Sequence, residues 1–241
     1  MEHPLLFLNL LFSKLGLPIV HSPEEAHTIA EYLLLPHVTY TWVVMIFLIV
    51  SAKLLVRKVQ MVPESGGQNF FEVLISGIEE FMVDITGEPG RQYFPLVCTL
   101  AFFILVSNYM GMIPGFFGPT SNINTTVGCA LIAVIYTHVI GVKFHGAKYI
   151  KHFLGPIWWL APLIFPIELI GHTARVLSLS IRLFGNIFGE ELVLAILFFL
   201  AGLYLAPLPI MFLGLFTGFV QAFIFVLLTM MYFAGAIEEA H

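Results

Sequence analysis

Of 241 residues, 59% are hydrophobic and only 10% are charged, with a formal net charge of −5. A soluble globular domain carries roughly 25% charged residues, so a water-soluble fold is excluded, and the acidic balance offers no surface to nucleic acid. Residues 192–237 contain no Lys, Arg, Asp or Glu, a run long enough for two membrane crossings at ~20 residues each.

The chain opens with Met1-Glu2-His3-Pro4, which lacks a basic segment, and the apolar residues 5–12 end in Ser13-Lys14. That is not the pattern of a cleaved signal. Residues 1–38 are therefore read as an extramembrane or interfacial segment, and 39–241 as a single membrane domain. The first span is expected at 39–56, closed by Lys53, Arg57 and Lys58. Residues 67–85 set Phe70, Phe71, Leu74, Ile75, Ile78, Phe81 and Met82 against Glu72, Glu79, Glu80 and Asp84. This helical period predicts an amphipathic helix lying in the interface, and Gly87-Glu88-Pro89-Gly90 ends it. Further spans are expected at 93–113, stopped by Pro114-Gly115, and at 125–142, followed by Lys143, Lys148 and Lys151. The last two are expected at 157–201 and 210–237, separated by a break containing Pro207 and Pro209. Cys98 and Cys129 sit in separate apolar spans without companion ligands and read as buried small apolar residues.

The fold class is thus all-α integral membrane, with about five transmembrane helices plus the amphipathic helix. Lys53, Arg57, Lys58, Arg91, Lys143, Lys148 and Lys151 all fall on one side of such a topology, which assigns that side to the cytoplasm. The N-terminus, the 114–124 loop and the 202–209 turn then lie outside. The 157–201 segment is about 67 Å long at ~1.5 Å per residue, against a hydrocarbon layer of ~30 Å. It must tilt, bend or run partly outside the membrane, and with 210–237 it is expected to form a long tilted antiparallel hairpin.

That long helix carries Glu168, His172, Arg175, Arg182, Glu190 and Glu191. An arginine at mid-membrane costs ~2.5–3.5 kcal/mol on insertion scales, so such a residue is a functional candidate. For Arg175 and Glu168, nearer the cytoplasmic end, snorkelling or a structural ion pair competes with function. Arg182 is flanked by Ile181, Leu183 and Phe184. At about 100° per residue, Gly171, Ser178, Gly185 and Gly189 fall within ~60° of it, forming a stripe of small residues that lets another helix approach closely. Two occupants fit that stripe. One is the final helix, which has its own Gly214, Gly218 and Ala222 at four-residue spacing; the other is a helix of a partner subunit presenting a carboxylate to Arg182. On the same wheel Asn186 and Glu168 lie near Arg182 and Glu191 lies opposite. Gln221 on the last helix is expected at a similar depth, where its amide can help position the guanidinium.

The run Ser178-Leu179-Ser180-Ile181-Arg182-Leu183-Phe184-Gly185-Asn186 resembles the signature of the subunit a family of F-type ATP synthases, the stator part of their proton channel. Pro119-Thr120-Ser121-Asn122-Ile123-Asn124-Thr125-Thr126, Pro166-Ile167-Glu168 and Gln221-Ala222-Phe223-Ile224-Phe225 are similar to further stretches of that family, so the resemblance covers about residue 40 to the end. It implies a non-catalytic subunit of a bacterial inner-membrane complex, with no cofactor and no metal. Its implied partners are a rotating c-ring, the peripheral-stalk b subunits and the lipid bilayer. Arg182 would face the ring carboxyl groups and keep the passing one deprotonated. Glu191, Asn122 and Asn124 would line the outer half-channel, Glu168 and His172 the inner one, and Asn186 and Gln221 would support them. Two departures stand out. Glu190 replaces the small residue of many members, so either Glu190 or Glu191 can serve the outer path, Glu191 being preferred. Gly214 stands where some bacterial members carry a titratable residue.

A stand-alone secondary transporter is the first alternative, but the chain has no internal repeat and no unwound mid-span Gly/Pro pair. An intramembrane enzyme is the second. Neither a His-Glu-x-x-His nor a Gly-x-Ser-x-Gly motif is present.

Overall fold

The computed structural model describes residues 14, 29–55, 66–113, 115–146, 149, 159, 161–201 and 207–238. Most of the N-terminal segment, Arg57, Lys58, Pro114, Lys148, Lys151 and residues 202–206 of the expected break lie outside the described residues. Among the described residues every regular element is helical. The α-helices are α1 (Ile29–Leu33), α2 (Pro36–Leu55), α3 (Gly66–Thr86), α4 (Phe94–Gly111), α5 (Ile123–His145), α6 (Ala161–Ala201) and α7 (Leu208–Ile237). Among the described residues five segments are long and apolar enough to cross a membrane: Pro36–Leu54, Glu88–Gly111, Ile123–His145, Pro162–Leu200 and Leu208–Ile237. The chain is an all-α integral membrane protein, and the ends of these five segments lie a few residues from the bounds read in the sequence.

The displacements have local causes. A 3₁₀ turn over Glu88–Tyr93 runs directly into α4, so the second span begins early. Gly87 takes φ 72 at the break, a conformation that favours glycine, and Pro89 sits in the first turn, where its missing N–H is not needed. Asn122 ends the third loop as the N-cap of α5: its side-chain oxygen accepts the Asn124 backbone N–H at 2.9 Å. Helix α6 has 41 residues with Pro166 inside its second turn. At ~1.5 Å per residue that is about 61 Å of helix, twice the ~30 Å hydrocarbon thickness.

The chain groups into two compact units, and each of α4–α7 contributes to both. The first comprises Met1–Arg57, Phe102–Thr125 and Leu183–Ala222. Its buried side chains include Tyr40, Val44, Ile104, Leu183, Ile187 and Leu194. Tyr40 stands edge-on to Phe116 at 6.0 Å, and its hydroxyl donates to the Gly115 carbonyl at 3.4 Å, tying α2 to the loop after α4. In this unit α6 and α7 pair antiparallel: Asn186 meets Gln221 at 2.7 Å, and Glu190, one turn on, meets Thr217, one turn back, at 3.5 Å.

The second unit comprises Lys58–Ala101, Thr126–Arg182 and Phe223–His241. Met82, Val97, Ile140, Val226, Met230 and Phe233 form its core, with Ile78 and Ile85 of α3 packed against it. Helix α3 is amphipathic as expected, since Glu72, Glu80 and Asp84 point away from this core and are exposed. The polar edge is fixed by Arg91, which pairs with Glu79 at 2.6 Å, and by Lys143, which donates to Gln92 at 2.6 Å. Both cysteines are unpaired thiols, Cys129 buried and Cys98 half-buried.

Candidate functional site

Arg182 is exposed on α6, and among the described residues it has no ion-pair or hydrogen-bond partner. A guanidinium in an apolar helix costs insertion free energy, and none of the described residues offsets that cost by pairing with it. The small residues flanking it are open too. Gly171, Ser178 and Gly185 are exposed, and a Cβ built on Gly171, Gly185 or Gly189 would meet no described atom within 4 Å. Within the first unit, α7 turns its own small residues elsewhere. Gly214 lies against the Glu190 carboxyl, and Gly218 lies against Asn108 and Tyr109 of α4. The sequence left two occupants open for the stripe, and at Gly185 and Gly189 the final helix is not one of them.

The first unit also gathers polar groups around two neighbouring carboxylates. Glu191 Oε1 accepts the Gly118 backbone N–H at 3.2 Å. It lies so near Gly111 and Gly118 that a Cβ on either would stand 2.7 or 2.8 Å away. Two glycines, one ending α4 and one in the loop before α5, thus open the seat for this carboxylate. Ser121 lies beside it, donating to the Gly118 carbonyl at 2.8 Å. Behind this seat, buried Asn108 accepts from Thr120 Oγ1 at 2.8 Å and donates to the Gly218 carbonyl at 3.0 Å, joining loop, α4 and α7. Glu190, one residue back, fills the space over Gly214, and Thr217 donates to its Oε2 at 3.5 Å. Asn186 donates to Gln221 Oε1 at 2.7 Å; Gln221 is 2% exposed, and its Nε2 has no hydrogen-bond partner among the described residues.

In the second unit Glu168 Oε1 lies 3.2 Å from His172 Nε2, one turn along α6. Arg175 stacks on the Tyr232 ring at 5.2 Å rather than closing an ion pair with Glu168. A guanidinium over an aromatic face is a favourable pairing, which accounts for the arginine without snorkelling. His172 and His138 of α5 are edge to face with ring centroids 4.5 Å apart, and His138 Nδ1 is 2.8 Å from the Tyr149 hydroxyl.

The expected site residues therefore distribute between the units. Glu190, Glu191, Asn186, Gln221, Asn122 and Asn124 belong to the first, and Glu168, His172 and Arg182 to the second. Asn122 is engaged in capping α5, and the groups that stand against Glu191 are Gly111, Gly118 and Ser121. Reading by residue type overlooked the glycines, Asn108, His138 and Tyr149. The signal for Asn108 was present: an amide inside an apolar span needs a partner.

Comparison with known proteins identifies the family of the chain. The family profile described as ATP synthase A chain matches residues 38–234. "ATP synthase subunit a" of Syntrophobacter fumaroxidans is 71% identical over 241 residues, covering all of both chains. Proteins of the same name from Desulfosudis oleivorans and Trichlorobacter lovleyi are 60% and 52% identical, again over the full length of each chain. A match of that extent, over residues that include all five spans and the Arg182 helix, makes the chain a member of the ATP synthase A chain family.

Proposed function

We propose that this chain is the proton-translocating stator subunit of an F-type ATP synthase in a bacterial inner membrane. In this reading it is a non-catalytic part of the complex. It provides two offset half-channels, and Arg182 faces the carboxyl groups of a rotating c-ring, with peripheral-stalk b subunits holding the stator in place.

The observation that carries the reading is the open stripe around Arg182. Its guanidinium is exposed with no partner among the described residues, and Gly171, Gly185 and Gly189 beside it have clear space. A ring helix passing along that stripe brings its carboxyl group to a fixed positive charge, which favours the carboxylate. The proton leaves before the carboxyl reaches Arg182 and another is taken up after it, so rotation and proton flow are coupled. The charge also bars a direct leak between the half-channels. Glu191, with Glu190 next to it, serves the outer path, where the Gly118 N–H and Ser121 hold its carboxylate. Asn122 and Asn124 stand at the loop end of that path. Glu168 and His172 serve the inner path, and Asn186 with Gln221 orients polar groups along the arginine helix.

Replacing Arg182 with Ala tests this directly. The complex is expected to assemble, because the side chain pairs with none of the described residues, while ATP-driven pumping and proton-driven synthesis vanish. Arg182→Lys should fail largely too, since an ammonium lacks the planar fork of donors. Normal coupling in Arg182→Ala would falsify the assignment.

A further inference from the structure

In the second unit, the polar side chains do not stop at Glu168 and His172. His138 of α5 faces His172 with ring centroids 4.5 Å apart, and on its other side His138 Nδ1 lies 2.8 Å from the Tyr149 hydroxyl. Tyr149 is placed by two glycines. Gly146 takes φ +56 after the end of α5, and the Tyr149 N–H donates to the Gly146 carbonyl at 3.2 Å, so the chain turns back on the helix. Gly141 is buried, and a Cβ there would run into the Tyr149 ring. Ring and hydroxyl are thus seated on the face of α5 that carries His138. Among the described residues, the titratable and charged groups around His138 include Tyr149, His172, Glu168 and Arg175. Burial pushes the Tyr149 phenol up; Arg175 pulls it down by less, and Glu168 adds to the rise. The phenol therefore keeps its proton at neutral pH and can donate and accept at once.

Building on the stator reading, we propose that His138 and Tyr149 are functional residues of this chain: a proton relay between the Glu168–His172 pair and the water at the C-terminal end of α5. The transfers balance. A protonated Glu168 gives its proton to His172 Nε2, leaving a carboxylate and an imidazolium. As the rings turn from their edge-to-face contact, the imidazolium gives its Nδ1 proton to His138 Nε2, leaving His172 neutral and His138 the imidazolium. His138 then gives the Nδ1 proton to the Tyr149 oxygen as the phenolic proton leaves to water. One proton has crossed, Tyr149 is neutral before and after, and both rings return to their starting charge. The sequence runs in reverse during ATP-driven pumping.

The test uses the assembled ATP synthase in lipid vesicles, with proton flux per assembled complex measured while pH is varied on each side separately. Tyr149→Phe keeps the ring on Gly141 and removes only the hydroxyl. It is expected to slow flux several-fold and to displace the pH dependence on the ATP-hydrolysing side alone. His138→Ala should be slow and should regain flux when imidazole is added on that side, and combining Tyr149→Phe with Glu168→Gln should cost no more than Glu168→Gln alone. Flux and pH profile equal to the unmodified complex in Tyr149→Phe and His138→Ala would overturn the relay. So would slow variants whose pH profile is unmoved and which imidazole does not restore, since that pattern marks packing alone. Arg182→Ala in the same vesicles checks the stator reading separately: loss of coupling there with normal Tyr149→Phe flux leaves the stator standing and removes only the relay.

Discussion

The carboxyl group of Glu190 occupies the space that a side chain at residue 214 would fill, so Gly214 is the complement of Glu190. In the sequence these were two unrelated departures, an added acid and a missing titratable residue. The fold makes them one feature, because the acid carried on α6 fills the space that a side chain on α7 would take. Gly214→Ala puts a methyl group against that carboxyl, and overpacking of this kind costs ~1–3 kcal/mol. The solubilised complex should lose thermal stability in Gly214→Ala and recover most of it in Gly214→Ala/Glu190→Ala. A double-mutant cycle should give a coupling of about 1 kcal/mol or more; strictly additive effects would disprove the pairing.

Among the described residues Glu191 is held by a backbone donor and not by a cation, which separates its seating from the proton role proposed for it. Glutamine at this position keeps an oxygen to accept the Gly118 N–H at 3.2 Å but cannot carry a proton. Positioned proton-transfer groups contribute ~10²–10⁴-fold in enzymes; in a path that water also enters, loss of about tenfold in flux is expected. Glu191→Gln should therefore assemble normally and conduct slowly. Unchanged flux in vesicles would take Glu191 out of the outer path.

Asn108 is the brace behind that seat, joining Thr120 at 2.8 Å to the Gly218 carbonyl at 3.0 Å while only 1% exposed. Leucine keeps the branched shape, is larger and removes both bonds, leaving a buried hydroxyl without its acceptor at ~1–3 kcal/mol, while the Gly218 carbonyl keeps only its helical partner. Asn108→Leu should lower the thermal midpoint of the complex and also slow proton flux, because the Thr120–Ser121 loop that flanks Glu191 loses its anchor. Unaltered stability would show that the brace is replaceable.

The spans could be read from the sequence because hydropathy and breakers act locally: a run without charges, a Gly87-Glu88-Pro89-Gly90 break and a basic flank each mark a helix end regardless of what packs against it. Arg182 was legible for the same reason, as a charge whose cost is set by its surroundings in the membrane. What packs on Glu191 was not. Gly111 and Gly118 matter through atoms they lack, and only the approach of a third chain segment gives that absence meaning. His138 and Tyr149 are eleven residues apart and meet because Gly146 reverses the chain. A lone histidine in an apolar span announces no partner. Asn122 carries a second duty that its residue type did not announce: its side-chain oxygen caps α5.

Gly185 and Gly189 separate a stripe that serves this chain from one that serves a neighbour. A Cβ at either meets no described atom within 4 Å, so a larger side chain creates no clash inside the subunit, and replacing a mid-helix glycine favours the helix by roughly 0.5–1 kcal/mol. By the subunit's own physics, Gly185→Leu and Gly189→Leu are neutral or stabilising. In the proposed function a ring helix slides along this face, and an isobutyl group there would hold the backbones apart and move Arg182 away from the passing carboxyl. Each variant should therefore insert at normal levels, measured by immunoblot of membranes, yet fail in ATP-driven pumping, and Gly185→Ala should fall between. If leucine at both positions leaves pumping intact, nothing travels along this stripe. If instead the subunit itself fails to accumulate, the stripe packs against a part of its own chain, and the open face around Arg182 has another meaning.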